Sequence, residues 1–468
     1  MGKSILNRLI VVSNRVNVPD IVQGKATGGL VVAIEEALAD QGGVWFGWSG
    51  KTNTDGEFRK NTQTKNNVDY ITVDMPDSIF DDFYGGFCNS LIWPIFHYQI
   101  GLADFSTENF VAYREVNQRF ASILSSHILP EDIVWVQDYH FISMARELRK
   151  FNCTNLIGFF LHIPWPAREV LLALPEHKNL VSDLLEYDLI GFQTKSHVIA
   201  FMDYVVRELD GVIGDNGTVY ALGKTSRVKH FPVSIDANAF VNEAKEAEDS
   251  MDVQRLLKSL GSRKLMIGVD RLDYTKGIVN RFEAFELFLE GLFETAEAPT
   301  FMQISPVSRG NLAQYQEIRQ VLEKKAGQIN GKYSDFDWTP VRYLNTGFDR
   351  KVLAGFFRNS SVGLVTPLRD GMNLVAKEYV ASQSSEDPGV LVLSQFAGAA
   401  EEMDGAVLVN PYNTNEISKA IKDSIEMPKI EKMDRWFGMM QRLQIQDIKY
   451  WKNKFLQTLK NKNKGEFF

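Results

Sequence analysis

The sequence predicts an α/β protein built from two doubly wound domains. Short runs rich in Val, Ile, Leu and Phe alternate along the chain with longer amphipathic stretches, the pattern of parallel sheets layered with helices. Several runs are apolar at every position, as strands buried on both faces must be. A polar segment rich in Ala, Glu and Lys over residues 234–247 divides the runs into two sets.

The first set covers residues 9–12, 133–136, 156–161, 188–192 and 228–233. After its first member, Leu30, Val31, Ile34 and Leu38 line up as one apolar helical stripe. The second set covers residues 265–269, 301–305, 362–365, 390–393 and 406–409. The division gives domains 1–235 and 236–468, each the size of one doubly wound unit. Residues 436–459 read as one helix with Trp, Phe and Ile on one side, placed to pack back on the first domain. The Lys/Asn-rich tail at 460–464 is expected to fray. In doubly wound sheets ligands bind beyond the C-terminal strand ends, so two such domains imply a cleft between them and direct attention to polar residues just after strands.

The 468 residues carry 51 Lys+Arg against 59 Asp+Glu, a net charge of -8. That balance lacks the phosphate-neutralising charge of a nucleic-acid binder, yet a few local cations suffice for a small anionic substrate. Two cysteines, Cys88 and Cys153, make neither a disulfide framework nor a Cys-rich zinc site, and suit a reducing compartment. Residues 9–12 end at Ser13-Asn14-Arg15, too short for a signal core, and position 6 is Leu where a myristoylation signal needs Ser or Thr. No apolar stretch reaches the ~18–20 residues that span a bilayer. A cytoplasmic protein is expected.

Nucleotide-binding loops of the common kinds are missing. Gly223-Lys224-Thr225 and Gly50-Lys51-Thr52 lack the upstream glycine at the Walker spacing, and no G-x-G-x-x-G follows the first strand. The seven histidines are scattered, without metal-ligand spacing. The D-x-D at Asp335-Phe-Asp337 precedes a strand-like run at 341–344, which puts it at the sheet end away from the cleft. No bound metal is expected.

The strand exits carry chemistry. Gly28-Gly29 opens the Leu30 helix, so backbone amides there could meet a phosphate, or the pair is simply a loop. Arg271 and Lys276, with Gly277, follow the run 265–269 and could neutralise a departing diphosphate, or form a solvated turn. Asp370 stands where a helix N-cap would stand, and Gly371 with the amides after it forms a positive helix end. Glu378, two turns further, could take a vicinal diol such as a ribose, or be a surface charge. Asp138 and His162 each follow an apolar strand and could hold sugar hydroxyls. For a lone histidine, a satisfied core position is the competing reading.

These segments occur in a telling order: Ser13-Asn14-Arg15, Gly28-Gly29, Trp45-Phe-Gly-Trp-Ser-Gly50, Trp93-Pro-x-Phe-His-Tyr98 and Gln137-Asp-Tyr-His140. Gly158-Phe-Phe-Leu-His-Ile-Pro164, Arg271-Leu-Asp-Tyr-x-Lys-Gly277, Ser308-Arg-Gly310, Asn330-Gly-Lys332 and Thr366-Pro-Leu-Arg-Asp-Gly-Met-Asn-Leu-Val-Ala-Lys-Glu378 follow. The set resembles the trehalose-6-phosphate synthases, from about residue 9 to residue 451. The resemblance implies a retaining glycosyltransferase of GT-B architecture, two Rossmann-like domains facing across a cleft. Such enzymes move glucose from UDP-glucose to glucose 6-phosphate and need no metal.

By the same resemblance, the acceptor phosphate meets the residues matching Arg15, Tyr84, Trp93 and Arg309, and the acceptor hydroxyls meet Asp138. The donor diphosphate meets Arg271, Lys276, the amides of Gly28-Gly29 and those at Gly371, Met372, Asn373 and Leu374. Donor glucose meets His162 and Asp370, the ribose meets Glu378, and a backbone contact near Phe348 reads the uracil. Asp138, His162, Arg271, Lys276 and Asp370 are the implied catalytic set.

Two departures bear on donor selectivity: Gln137 replaces a frequent His, and Trp165-Pro-Ala-Arg168 replaces a stretch where Phe and Ser or Thr are commoner. The alternatives are a synthase using glycerol 3-phosphate (a glucosylglycerol-phosphate synthase) and an inactive sugar-phosphate-sensing subunit. The base of the donor and a homo-oligomeric state stay open.

Overall fold

The computed structural model describes residues 8–18, 31, 34, 35, 38, 42–292, 298–307 and 313–461. The chain divides into two compact units, residues 1–232 with 449–468, and residues 233–448.

The first unit contains β1 (Leu9–Arg15), β2 (Gly43–Asn53), β3 (Arg59–Lys65), β4 (Val68–Pro76), β5 (Ile133–Gln137), β6 (Leu156–Phe160), β7 (Leu189–Phe192), β8 (Val212–Ile213), β9 (Thr218–Ala221) and β10 (Lys224–His230). They form one ten-stranded sheet in the order β3-β4-β2-β1-β5-β6-β7-β10-β9-β8. β4, β2, β1, β5, β6, β7 and β10 run parallel. The chain leaves β1 toward β2 and β4 on one side and returns to β5 on the other, so the switch point lies between β1 and β5. The apolar runs locate β1, β5, β6, β7 and β10. They miss the largely buried β2 and β4, the short β8 and β9, and β3, whose exposed Arg-Lys-Asn-Thr-Gln-Thr sequence suits a polar sheet edge.

The second unit contains β11 (Leu265–Val269), β12 (Thr300–Ile304), β13 (Val341–Leu344), β14 (Val362–Val365), β15 (Val390–Ser394) and β16 (Val407–Val409). All are parallel, in the order β13-β12-β11-β14-β15-β16. Here the switch point lies between β11 and β14, with Met266 opposite Val362. Four helices matter below: α1 (Ile278–Glu290), α2 (Leu374–Ser382), α3 (Lys429–Ile445) and α4 (Ile448–Lys460).

The polar segment after residue 234 is the helix Ala237–Ala247, inside the second unit as its placement after residue 235 implied. One expectation changes. The single helix expected over 436–459 is two helices, α3 and α4, broken at Gln446 and Asp447. The break coincides with a long-range bond, the Ile448 N–H donating to the Ile235 carbonyl at 3.2 Å. α4 then serves the first unit. Its Trp451 and Phe455 lie 5.0 and 4.8 Å from the buried Trp135 ring. Gly158 and Gly191 make room, since an added Cβ at either would come within 2.8 Å of Phe455. Among the described residues no helix is long and apolar enough to cross a membrane.

Candidate active site

In the first unit the predicted residues gather at the C-terminal ends of β1, β5 and β6. Arg15 ends β1 with its side chain exposed. Its guanidinium stands 5.7 Å from the centroid of the Trp48 ring, a cation–π contact. It also crosses Gly50, where φ is +86° and an added Cβ would lie 2.6 Å from the guanidinium carbon. Tyr84, on the π-helical segment Asp81–Ile92, approaches the same Trp48 ring at 5.9 Å. Arg15 and Tyr84 therefore converge on one indole. Tyr84 also stacks on His140 at 5.8 Å, His140 contacts Tyr139 at 4.0 Å, and Tyr139 contacts Trp93 at 6.0 Å. A continuous row of rings thus joins Tyr84 to Trp93.

Asp138 follows β5 at φ 70°, ψ 170°, a conformation that only glycine adopts freely and that costs other residues about 1–3 kcal/mol. Its N–H donates to the Phe160 carbonyl at 2.8 Å, and its Oδ1 accepts from the His162 N–H at 3.1 Å. The strain is held by bonds to the exit of the neighbouring β6, and strain so held is a mark of functional positions. His162 Nε2 lies 2.9 Å from Gln137 Oε1. The Phe160 and Trp451 rings wall the imidazole at 4.7 and 6.2 Å. Burial pushes its pKa down to about 3, so it is neutral at pH 7.

In the second unit the residues gather at β11 and β14, on either side of the switch point. Asp273 Oδ1 accepts from the Thr275 N–H and hydroxyl, both at 2.9 Å, and Tyr315 donates to Oδ2 at 3.1 Å. These bonds shape the turn Tyr274–Lys276. Gly277 closes it at φ +63°, where an added Cβ would lie 2.3 Å from the Thr366 carbonyl; the turn needs glycine for both reasons. Lys276 Nζ then reaches Asp370 Oδ2 at 2.5 Å. Asn373 Nδ2 donates to the same oxygen at 3.1 Å. Arg271 leaves the same strand exit as Lys276 and is exposed.

Asp370 does not cap a helix, contrary to expectation. α2 starts at Leu374, and its cap position is Asn373, at φ 76° with no side-chain bond to the first-turn amides. Gly371 and Met372 are buried ahead of it. Asp370 is instead engaged sideways by Lys276, which removes it from the capping role. The amide end of α2 keeps the positive potential that favours an anion.

Glu378 lies on α2, partly buried. Burial pushes its carboxyl up to about 7, Arg350 pulls it down, and Glu243 pushes it further up. Arg350 and Glu243 are themselves paired at 2.8 Å. Phe348, two residues before Arg350, rests edge-on against Phe356 at 5.4 Å.

Sequence reasoning missed Arg281. It is fully buried on α1 and ties the switch point together. It donates to Asp270 and Gln303 at 2.7 Å each, to the Thr366 hydroxyl at 3.1 Å, and to the Lys276 carbonyl at 3.4 Å. One guanidinium thus holds the exits of β11, β12 and β14 in register. The signal was an arginine amid the buried stripe of Ile278, Phe282 and Phe285, where a lone charge needs partners. Gly28, Gly29 and Arg309 lie outside the described residues. Among the described residues no three His, Cys, Asp or Glu side chains group as metal ligands. Asp335 accepts from the Phe336 N–H at 2.7 Å in its own turn ahead of β13.

Residues 6–461 match the family model described as glycosyltransferase family 20. The chain is similar to a trehalose-6-phosphate synthase of Sinorhizobium fredii, 42% identical over 97% of this chain and 98% of the relative. A Cronobacter sakazakii protein of the same name is 44% identical over 97% of this chain and 95% of its own length. Among solved structures, an α,α-trehalose-phosphate synthase (UDP-forming) from Burkholderia xenovorans in complex with glucose-6-phosphate superposes with a TM-score of 0.93. It is 42% identical and covers 97% of this chain and 100% of that one. The E. coli enzyme bound with UDP-2-fluoro glucose gives a TM-score of 0.92 at 41% identity, over 97% and 99% of the two chains. With two doubly wound α/β sheets, strand exits furnished as described and a family match over nearly all its length, this chain belongs to glycosyltransferase family 20.

Proposed function

We infer that the chain transfers the glucosyl group of UDP-glucose to glucose 6-phosphate, releasing UDP and forming α,α-trehalose 6-phosphate with retention at the anomeric carbon. The observation that carries this reading is the Lys276–Asp370–Asn373 cluster beside the amide end of α2, at the switch point of a family 20 chain. A cation and free helix amides suit a diphosphate, and a carboxylate beside them suits the hydroxyls of the sugar it carries.

The roles are those that the family resemblance implies. Arg15, Tyr84, Trp93 and Arg309 take the acceptor's dianionic phosphate, and Asp138 its hydroxyls. Arg271 and Lys276, with the amides of Gly28-Gly29 and of Asn373 and Leu374, take the donor diphosphate. His162 and Asp370 take the donor glucose, Glu378 the ribose, and the backbone at Phe348 the uracil. Asp370 is already bonded to Lys276 and Asn373, which disfavours it as a covalent nucleophile.

A front-face transfer fits that arrangement. The bond from C1 to the diphosphate oxygen breaks and its electron pair leaves with UDP. The acceptor hydroxyl oxygen bonds C1 from the same face, and its proton passes to the departing phosphate. Lys276 and Arg271 stabilise the charge that develops on the leaving group. In this reading they do the work a divalent metal does in other transferases, so EDTA leaves turnover intact. Loss of activity on chelation, restored by Mg²⁺ or Mn²⁺, refutes that part.

Product analysis with UDP-, ADP- and GDP-glucose, each offered with glucose 6-phosphate and with glycerol 3-phosphate, tests the whole. Trehalose 6-phosphate from the UDP donor is the expected product. Glucosylglycerol phosphate in its place, or no transfer with any pair, overturns the reading.

A further inference from the structure

Gln137 is fully buried at the end of β5. Its Oε1 meets His162 Nε2 at 2.9 Å, while its Nε2 is buried with no hydrogen-bond partner among the described residues. A buried amide with one end unsatisfied destabilises the fold relative to an apolar side chain of the same length. Packing alone therefore gives no reason for an amide here; its contact is with the imidazole.

The surroundings of His162 leave the ring dependent on that contact. Phe160 and Trp451 offer it aromatic surfaces. The Asp138 carboxylate bonds the His162 backbone N–H and not the ring. Burial is the cause of its lowered pKa, with no neighbouring charge contributing. A neutral imidazole is a donor at one nitrogen and an acceptor at the other, and the partner of one nitrogen decides both. A carbonyl oxygen facing Nε2 requires a proton there and leaves Nδ1 with a lone pair.

We propose that Gln137 is a positioning residue that fixes His162 as the neutral Nε2–H tautomer, so that Nδ1 accepts a hydrogen bond from a hydroxyl of the donor glucose. The inference rests on the reading of His162 as a glucose ligand. It deepens that reading by assigning the direction of the bond: the sugar donates. A donor sugar whose matching hydroxyl is replaced by fluorine, which cannot donate, loses this contact.

The test separates the two levels. Histidine is labelled with ¹⁵N in the whole protein, and the His162 resonances are identified by their loss in His162→Gln. Wild type is expected to show a neutral ring with the proton on Nε2 between pH 6 and 8. Gln137→Met, close in length and without the carbonyl, is expected to mix the two tautomers. It should also lower kcat/KM for UDP-glucose by about threefold to tenfold, the size of one neutral hydrogen bond, with the KM of glucose 6-phosphate unchanged. An Nδ1–H tautomer or an imidazolium in wild type overturns the proposal without any variant. So does a Gln137→Met protein that keeps the pure Nε2–H form. A mixed tautomer with unchanged donor kinetics upholds the role of Gln137 on the ring and overturns His162 as a glucose ligand.

Discussion

Replacing Lys276 by Met separates what this residue does for the fold from what it does for the reaction. Its ammonium lies 2.5 Å from Asp370 Oδ2, and the two side chains are 11% and 15% exposed. Removing the cation takes from Asp370 its charged partner and keeps the Asn373 amide bond. A carboxylate so enclosed that loses its cation destabilises the protein by about 1–3 kcal/mol. The effect on chemistry is larger. Losing one fixed donor to a developing anion lowers kcat by about 10²–10³, or about 2.7–4 kcal/mol. Steady-state UDP release and thermal unfolding are then measured for Lys276→Met and for the double variant Lys276→Met/Asp370→Asn. The double variant no longer encloses a carboxylate without its cation, so its stability returns toward wild type while its turnover stays low. A kcat within threefold of wild type in Lys276→Met, or turnover that recovers together with stability, refutes the leaving-group role.

Gly50→Ala places a methyl against the Arg15 guanidinium at a φ of +86°, so the KM of glucose 6-phosphate rises as it does in Arg15→Ala. Losing a charge-assisted contact of about 1.5–3 kcal/mol corresponds to about 10- to 150-fold, and unchanged acceptor KM in both variants refutes the assignment. Arg281→Met leaves Asp270 buried without its 2.7 Å partner and costs about 3–5 kcal/mol, read from urea denaturation; a loss under 1 kcal/mol counters the keystone role. Glu378 has a folded pKa raised to about 7 against about 4.3 unfolded, so the folded state holds more protons between these values and stability falls as pH rises through them. Glu378→Gln removes that fall and is more stable than wild type by about 2 kcal/mol at pH 8, allowing for partial exposure, with little difference at pH 4. Stability curves that run parallel from pH 4 to 8 refute the shift.

Much of this was readable from the chain because a parallel strand buried on both faces is an apolar run, and the first polar residues after it mark its C-terminal end. Asp138, Arg271 and Asp370 were singled out that way, and Arg15 through the family resemblance. What stayed hidden depends on partners far along the sequence. Asp370 looks like a helix cap locally; its partner Lys276 is 94 residues away, and the cap position passes to Asn373. The amphipathic pattern over 436–459 continues through the place where the helix breaks, because the break goes with the bond from Ile448 to Ile235. β3 carries polar side chains at an exposed sheet edge and so presents no apolar run. Arg281 was hidden because its partners Asp270, Gln303 and Thr366 converge only when β11, β12 and β14 are side by side.

The proposed ligands of the diphosphate and of the hydroxyls differ in charge. At β11 and β14 the groups facing the proposed diphosphate are ionised: Lys276 is paired, and Arg271 stands at the same exit. Two of the groups proposed for sugar hydroxyls are kept near neutrality, His162 by a pKa near 3 and Glu378 by one near 7. Burial produces both shifts, because it disfavours the charged form whatever its sign. For a hydroxyl ligand this is an advantage. A neutral imidazole keeps a lone pair, and a carboxyl balanced between forms can accept from a diol when it ionises. A protonated imidazole at His162 would attract a phosphate instead. His162 is accordingly walled by Phe160 and Trp451 and bonded to an uncharged amide. The Gln137 carbonyl is the neighbour that lets the His162 ring do without its second proton.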